Sequence, residues 1–233
     1  MGCKAAVKRT REIKPNLVIV STGAGEAPPP FPISEGAPVV YAWDALCKKA
    51  QVGMRVVVIG GGGTGCETAL ELARRGAISD ETARFLLIHQ AESLKNIEKL
   101  LVSGPRHVIL VEMDRKVGRD VGKSTRWVLL KELDSAGVKI VRNAIVTNVA
   151  VTEENSAVVE IEKRKEKKSE QKAKDKETIR CDTAVLAIGV KSERRVAQQL
   201  EQLGFDVVLA GDVKDTARAL EAIHSGFEAG LSI

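Results

Sequence analysis

Six consecutive residues in the first third of the chain have the types and spacing of a phosphate-binding turn. The glycines at the first, third and sixth positions fit the pattern G-x-G-x-x-G. In such a turn the first glycine permits a tight bend, the second lets a pyrophosphate approach the backbone, and the third lets the next helix pack closely. The six residues are Gly60, Gly61, Gly62, Gly63, Thr64 and Gly65.

The segments on either side supply the context that this pattern requires. Residues 56–59 (VVVI) predict a buried strand, and a helical pattern runs from about Thr64 to Gly76. Free N–H groups and the positive end of the helix dipole would then hold the phosphates of a dinucleotide. The alternative is a glycine-rich turn that binds nothing, and the strand–turn–helix context favours binding.

An acidic residue, Glu112, ends the next predicted strand, residues 107–112. In a dinucleotide fold an acid at this position accepts hydrogen bonds from the adenosine ribose, which favours NAD(H) over NADP(H). The usual separation from the glycines is about 20 residues, whereas Glu112 lies 47 residues beyond Gly65. Two predicted helices, 80–90 and 92–102, account for the excess.

Other interpretations of this strand end stay open. Arg115 and Lys116 follow Glu112 closely and could serve the 2′-phosphate of NADP(H) instead. Glu112 could also be only a solvated acid at the end of a strand.

The remaining pattern predicts a Rossmann-like, three-layer α/β fold with a central parallel sheet. Apolar and polar residues alternate over 145–162 and 177–180, which predicts an antiparallel β-meander, and the charged run 162–177 predicts a mobile loop. Residues 27–38 contain five prolines and predict an extended crossover between two domains.

Composition limits the classes of function. The chain has 233 residues, 44% hydrophobic and 29% charged, enough for one large domain or two small ones. Aromatic residues make up only 3%, and the basic residues of 162–177 are interleaved with acids, so no nucleic-acid partner is expected despite a net charge of +5. No apolar run approaches the ~20 residues of a membrane span. Residues 1–14 lack the apolar core of a signal peptide, so a cytoplasmic protein is expected.

The four cysteines do not predict a metal or disulphide site. They form no C-x-x-C pair, and no histidine lies at metal-ligand spacing. We expect reduced thiols and no bound metal. The four are Cys3, Cys47, Cys66 and Cys181.

Three further strand ends carry a second set of signals. VIVSTG (18–23), VLAIG (185–189) and VVLAGD (207–212) are apolar strands that close on glycine, and each is unremarkable alone. In this order the chain resembles the carboxy-terminal part of flavoproteins with two dinucleotide-binding domains. It most resembles the 2,4-dienoyl-CoA reductase and trimethylamine dehydrogenase family of NADH:flavin oxidoreductases. The supporting segments are LVIVSTGA (17–24), YAWDAL (41–46), VVVIGGGGTGCETALELARRGA (56–77), DETARFLLIHQAES (80–93), VEMDRKVGRDVGKSTRWVLLKEL (111–133) and AGDVKDTARALEAIHSGFEAG (210–230).

The resemblance implies roles for particular residues. The turn glycines would bind the pyrophosphate of NAD(H), and Ile188 and Gly189 would line the nicotinamide side. Glu67 would lie beside the contact of nicotinamide and flavin, or simply complement the helix dipole. FAD would be bound by a second set of residues. The implied ribose-side residues are Glu112, Met113 and Arg115, and the implied FAD-domain residues are Thr22, Gly23, Gly211 and Asp212.

The departures from the family shape the prediction. The chain has one G-x-G-x-x-G, whereas the family's FAD domain begins with its own, and the FMN barrel and the iron–sulfur cysteines are absent. We therefore expect a partial FAD-domain segment with its crossover in 1–36, an NAD(P)-binding domain in 37–190 and a second partial FAD-domain segment in 191–233. The meander's charged run, 162–177, belongs to the middle domain.

Two functions follow from this arrangement. One is the NAD(P)H-binding part of a flavin-dependent oxidoreductase, which passes hydride to FAD once a protein partner, a missing amino-terminal region or another copy completes the FAD site. No side chain need act as acid or base, because the cofactors perform the chemistry. The alternative is a non-catalytic NAD-binding or interaction subunit without flavin.

Overall fold

The computed structural model describes residues 7–164 and 175–233. The chain divides into two compact units, Met1–Ala27 with Val190–Ile233, and Pro28–Gly189. In chain order the elements are α1 (Val7–Ile13), β1 (Leu17–Val20), β2 (Ala24–Glu26), β3 (Val39–Tyr41), α2 (Ala42–Leu46), β4 (Arg55–Ile59), α3 (Gly63–Arg74), α4 (Asp80–Ile88), α5 (Leu94–Val102), β5 (His107–Val111), α6 (Lys123–Ser135), β6 (Lys139–Val141), β7 (Ala144–Val151), β8 (Ala157–Lys163), β9 (Asp175–Cys181), β10 (Thr183–Leu186), β11 (Val190–Ser192), α7 (Arg195–Gln202), β12 (Asp206–Leu209), a 3-10 turn (Gly211–Val213) and α8 (Ala219–Leu231).

The larger unit has three layers. Its central sheet has the order β3-β10-β4-β5-β6, and every neighbouring pair is parallel. Leu72, Leu110 and Leu133 belong to the core between this sheet and the helices α3 and α6. On the other face, Val57 packs in one core with Val149 of the antiparallel sheet β7-β8-β9. The predicted Rossmann-like α/β fold, with a parallel sheet and a meander, is confirmed.

The inserted helices α4 and α5 leave the nucleotide-type unit intact. Ser79 accepts a hydrogen bond from the Thr82 amide and Ser93 accepts one from the Asn96 amide, so each helix begins at a capping serine. After the insertion the chain returns to β5, which pairs in parallel with β4. The insertion therefore lengthens the sequence between the two strands without separating them in the sheet.

Within the residues that the structure describes, the smaller unit contains two short sheets, three α-helices and the 3-10 turn. β1 pairs in parallel with β12, and β2 pairs antiparallel with β11. Val20, Ala197, Leu200 and Val213 form its buried core. The sequence did not predict α1, β2 or β11, because α1 buries none of its residues and each of the two strands has only three.

The two ends of the charged run are strand, where a loop was predicted. β8 continues to Lys163 and β9 begins at Asp175. Lys163 Nζ lies 2.6 Å from Glu177 Oε1 across the pair of strands, and such opposite charges stabilise a ladder. The prediction of a mobile loop for residues 165–174 lies outside the described residues.

Candidate functional site

Gly60 and Gly65 are glycines because the backbone leaves no room for a side chain. Gly60 follows β4 with φ of +106°, and a Cβ there would lie 2.4 Å from the Ala187 carbonyl oxygen. A Cβ at Gly65 would lie 1.8 Å from the carbonyl oxygen of Gly60. Helix α3 can therefore approach the end of β4 closely, as predicted for the first and third glycines of the pattern.

Gly62 and Gly63 differ from these two, because the fold does not require glycine at either position. Gly62 has ordinary extended backbone, with φ of −69° and ψ of −175°, and caps α3 without a side-chain hydrogen bond. The three atoms nearest to a Cβ at Gly62 or at Gly63 would all belong to side chains, at 3.3 Å or more. The fold alone thus leaves these two glycines unexplained.

Glu112 is fixed against the turn by both carboxylate oxygens. Its Oε2 accepts a hydrogen bond from the Gly61 amide at 2.5 Å, and its Oε1 accepts one from the Asp114 amide at 2.8 Å. A Cβ at Gly61 would lie 2.8 Å from the Cβ of Glu112, so Gly61 makes room for this acid. The contact exists because β4 and β5 end side by side at the same sheet edge.

A cavity of about 560 Å³ lies against the carboxyl ends of the central strands in the larger unit. Such crevices are the usual ligand sites of open α/β sheets. Nine predicted site residues in three groups line it: the turn, the end of β5 and the end of β10. The lining residues include Gly60, Gly61, Gly62, Gly63, Thr64, Glu112, Met113, Ile188 and Gly189, together with Pro28, Pro30 and Phe31 from the proline-rich segment.

Asp120 is the site residue that the sequence analysis missed. Its Oδ1 and Oδ2 accept hydrogen bonds from the Gly63 amide at 2.8 and 3.0 Å, at the amino end of α3. Its loop has no hydrophobic period, and the two residues lie 57 positions apart, so no local pattern links them. The sequence signal that could have indicated this contact was an aspartate in the loop after β5.

Two of the basic residues after β5 lie beside Glu112 in a second depression. Its volume is about 490 Å³, and Gly61, Glu112, Lys116 and Arg119 are among its lining residues. Arg119 pairs with Asp114 at 3.1 Å. Arg115 is exposed and is not among the residues that line either depression. An acid and two cations thus lie at the place where the predicted ribose would be bound.

Glu67 stands apart from the other predicted residues. It is exposed and does not line the cavity. Because α3 begins at Gly63 and has no acid in its first turn, the alternative role as a dipole-complementing first-turn acid is wrong for Glu67. The acid that meets the amino end of α3 is Asp120, which lies in the loop after β5.

The predicted FAD-domain residues all belong to the smaller unit. Gly211, with φ of +73°, donates from its amide to Ser225 Oγ at 2.7 Å. Asp212 Oδ1 accepts from the Ala217 amide at 3.4 Å. Thr22 Oγ1 donates to the Glu193 carbonyl at 2.9 Å, and Gly23 has φ of +77°. The turn between β12 and α8 is therefore held by its own side chains.

Comparison with known proteins settles the family. A family model described as pyridine nucleotide-disulphide oxidoreductase matches residues 2–215. The chain belongs to the pyridine nucleotide-disulphide oxidoreductase family. Members are flavoprotein oxidoreductases, and the family in general binds FAD and NAD(P)H.

Individual pyridine nucleotide-disulphide oxidoreductase relatives are much longer than this chain. A metal reductase of Desulforamulus reducens is 34% identical over 221 residues, which cover 95% of this chain and 31% of the relative. An NADH oxidase of Thermoanaerobacter brockii is 26% identical over 237 residues, which cover 100% of this chain and 30% of the relative. The structure of a 2-naphthoyl-CoA reductase in complex with 2-naphthoyl-CoA has the same fold, with a TM-score of 0.70 and 20% identity. The match covers 99% of this chain and 29% of the reductase. The chain thus spans less than a third of each.

The thiols of this family member are not arranged for disulphide chemistry in the described part. Cys47, Cys66 and Cys181 are free there. Burial raises the pKa of the Cys66 thiol and of the Cys181 thiol to about 11, so both are protonated at neutral pH and poorly nucleophilic. Within residues 7–164 and 175–233, no acidic, histidine and cysteine side chains cluster as metal ligands, and no helix is long and apolar enough to cross a membrane.

Proposed function

We propose that the larger unit binds NAD(H) and delivers hydride to FAD in a flavin-dependent oxidoreductase of the 2,4-dienoyl-CoA reductase and trimethylamine dehydrogenase type. One observation carries the proposal: Gly62 and Gly63 lack side chains where the fold would accept them. A ligand that approaches the backbone at the start of α3 explains both, since the N–H groups there can meet a pyrophosphate only without Cβ atoms in the way.

The residues around the turn fit the rest of a dinucleotide. Glu112 is immobilised by two amides, which leaves its remaining lone pairs for the hydroxyls of the adenosine ribose. Gly189, with φ of +97° and no neighbour within 4 Å of a Cβ, leaves the end of β10 open for a nicotinamide ring. Ile188 and Phe31 give that part of the cavity apolar walls, which exclude water.

The chain's own residues position the cofactors and perform no proton transfer in this proposal. When bound, NADH supplies the hydride and FAD accepts it. Glu112 orients the ribose, the amides of the turn hold the pyrophosphate, and the walls of the cavity keep water out. Because Glu112 accepts hydrogen bonds and repels phosphate, we propose NADH as the preferred donor, with Lys116 and Arg119 leaving some affinity for NADPH.

The FAD site is proposed to form from the smaller unit and further polypeptide. Gly211, Asp212, Thr22 and Gly23 would contribute to it. In the described part of the smaller unit the parallel sheet has two strands, and one face of α8 exposes a stripe of large apolar side chains. Such a stripe favours association. The proposed occupant is the remaining part of an FAD-binding domain. The stripe consists of Leu220, Ile223, Phe227 and Leu231.

Flavin reduction tests the proposal against a binding subunit without flavin. The chain is purified alone and with the polypeptides that co-purify with it, and NADH is added without oxygen. We expect yellow flavin absorbance only in the completed complex, and its loss on adding NADH. A complex that binds NADH but holds no flavin would favour the non-catalytic subunit and contradict the hydride-transfer proposal.

A further inference from the structure

The amino end of α3 already holds an anion that belongs to the protein. Both carboxylate oxygens of Asp120 accept hydrogen bonds from the Gly63 amide. The same oxygens lie 3.4 and 3.5 Å from the position of a Cβ on Gly62. The carboxylate therefore occupies the space in front of the two glycines whose missing side chains the proposed function explains by a pyrophosphate.

The backbone that carries Asp120 is fastened to the turn. The Gly118 amide donates to the Gly61 carbonyl at 2.6 Å, and Arg126 Nε donates to the Val117 carbonyl at 2.7 Å. Val117 and Gly118 are buried, whereas Asp120 is exposed. The loop thus holds Asp120 close to the turn, with its side chain on the exposed side of the loop.

We infer that Asp120 is an internal competitor for the pyrophosphate, whose carboxylate must leave the Gly63 amide when a dinucleotide binds. The inference rests on the proposed function of the larger unit. A phosphate oxygen and a carboxylate oxygen need the same amide hydrogen and the same positive helix end. Two anions in that space also repel each other, so each ligand that carries a pyrophosphate displaces the side chain.

The consequence is a lowered affinity for dinucleotides. Part of the binding free energy is spent on breaking the contact of Asp120 with Gly63, and the ligand's apparent affinity falls accordingly. For an exposed carboxylate at a helix end, the cost corresponds to about three- to tenfold in affinity. Asp120 would thereby favour release of the oxidised or reduced dinucleotide after each encounter.

The test compares the full chain with Asp120→Asn and Asp120→Ala in calorimetric titrations with NADH, ADP and adenosine. We expect both variants to bind NADH and ADP about three- to tenfold more tightly than the wild type. Adenosine lacks phosphate, so its affinity for each variant should stay within about twofold of its affinity for the wild type. Asp134→Asn is the matched control, since it removes the same charge from an exposed site near the far end of α6.

Every outcome of these titrations either supports or overturns the inference. Wild-type affinity for NADH in both Asp120 variants, or weaker binding, would overturn the inference and leave the proposed function standing. An equal gain for adenosine or in Asp134→Asn would overturn it too, because the effect would then be one of net charge. Absence of NADH binding by the wild type and every variant would overturn the proposed function, and the inference with it.

Discussion

At the scale of single residues, the site is built from carboxylates that meet backbone amides. Glu112 binds the amide of Gly61 and Asp120 binds that of Gly63, but their surroundings differ. Glu112 is half-buried and fixed by two amides, whereas Asp120 is exposed. The first is therefore suited to hold a ligand in place, and the second to give way to one.

Replacing Glu112 with Ala should change the preference between the two nicotinamide cofactors. Loss of the ribose acceptor should weaken NADH binding by about five- to thirtyfold, the equivalent of one or two hydrogen bonds. NADPH should bind relatively better, because Lys116 and Arg119 remain beside the site. Parallel titrations with both cofactors measure the ratio. If the two affinities fall by the same factor, Glu112 is not the ribose ligand. Glu71→Ala, on the exposed side of α3, is the control.

Replacing Gly65 with Ala should impair the fold itself. The new Cβ would lie 1.8 Å from the Gly60 carbonyl oxygen, so α3 must move away from β4. We expect a loss of about 3 kcal/mol or more in the free energy of unfolding, measured by urea denaturation. Unchanged stability would show that the close packing of helix and strand is not required.

At the scale of elements, a side-chain clamp joins the amino ends of two central strands. Asp182 precedes β10 and accepts hydrogen bonds from the amides of Met54 and Arg55 at 3.0 and 2.8 Å. It also accepts from the Arg55 guanidinium at 2.9 and 2.6 Å. The clamp fixes β4 against β10, the strand pair whose opposite ends form the cavity.

The clamp should give stability a specific dependence on pH. The hydrogen bond from the Arg55 side chain holds the pKa of Asp182 below its usual 3.8. A lowered folded-state pKa contributes stability that is complete above the unfolded value and disappears as pH falls through the folded one. Asp182→Ala should therefore cost about 1–2 kcal/mol near pH 7, and this difference should shrink below pH ~4. Denaturation across pH measures it, with Asp134→Ala as control; a difference that grows with acidification would contradict the clamp.

The elements that the sequence predicted are those with a local signal. The alternation in β7 and β8, the apolar runs of β4, β5 and β10 and the stop signals after α3 and α6 each require only neighbouring residues. The contacts of Asp120 and Asp182 join residues more than 50 positions apart, and they arise from the order of strands in the sheet. The turn glycines could be predicted, but which of them the fold itself requires depends on the Ala187 and Gly60 carbonyls.

At the scale of the whole molecule, the two units differ in how completely they bury their surfaces. The larger unit covers both faces of a five-stranded sheet. The smaller unit has two-stranded sheets and an α8 whose Ile223 and Phe227 are 68% and 67% exposed. The sequence signals of the two units are unequal as well. The larger unit has a complete nucleotide-binding turn, whereas the smaller unit shows only the strand ends of one.

The apolar stripe of α8 should control association and not NADH binding. We expect the double substitution Ile223→Ser and Phe227→Ser to reduce self-association and to abolish binding of the flavin-completing polypeptide, since it removes the centre of the stripe. Affinity for NADH should be unchanged because the proposed site lies in the larger unit. Light scattering and calorimetry measure the two effects. Association equal to the wild type would show that α8 is not the contact surface; Glu221→Ser on the same helix is the control.

The proposed function depends most on Gly62, whose missing side chain leaves room for a bound dinucleotide. Calorimetric titration of the wild type and of Gly62→Val with NADH tests this claim directly, with urea denaturation to compare their stability. We expect Gly62→Val to lose NADH binding while its free energy of unfolding falls by only about 1 kcal/mol, the usual cost of a poor N-cap residue, because the backbone there accepts a side chain. Unchanged NADH affinity in Gly62→Val would contradict it.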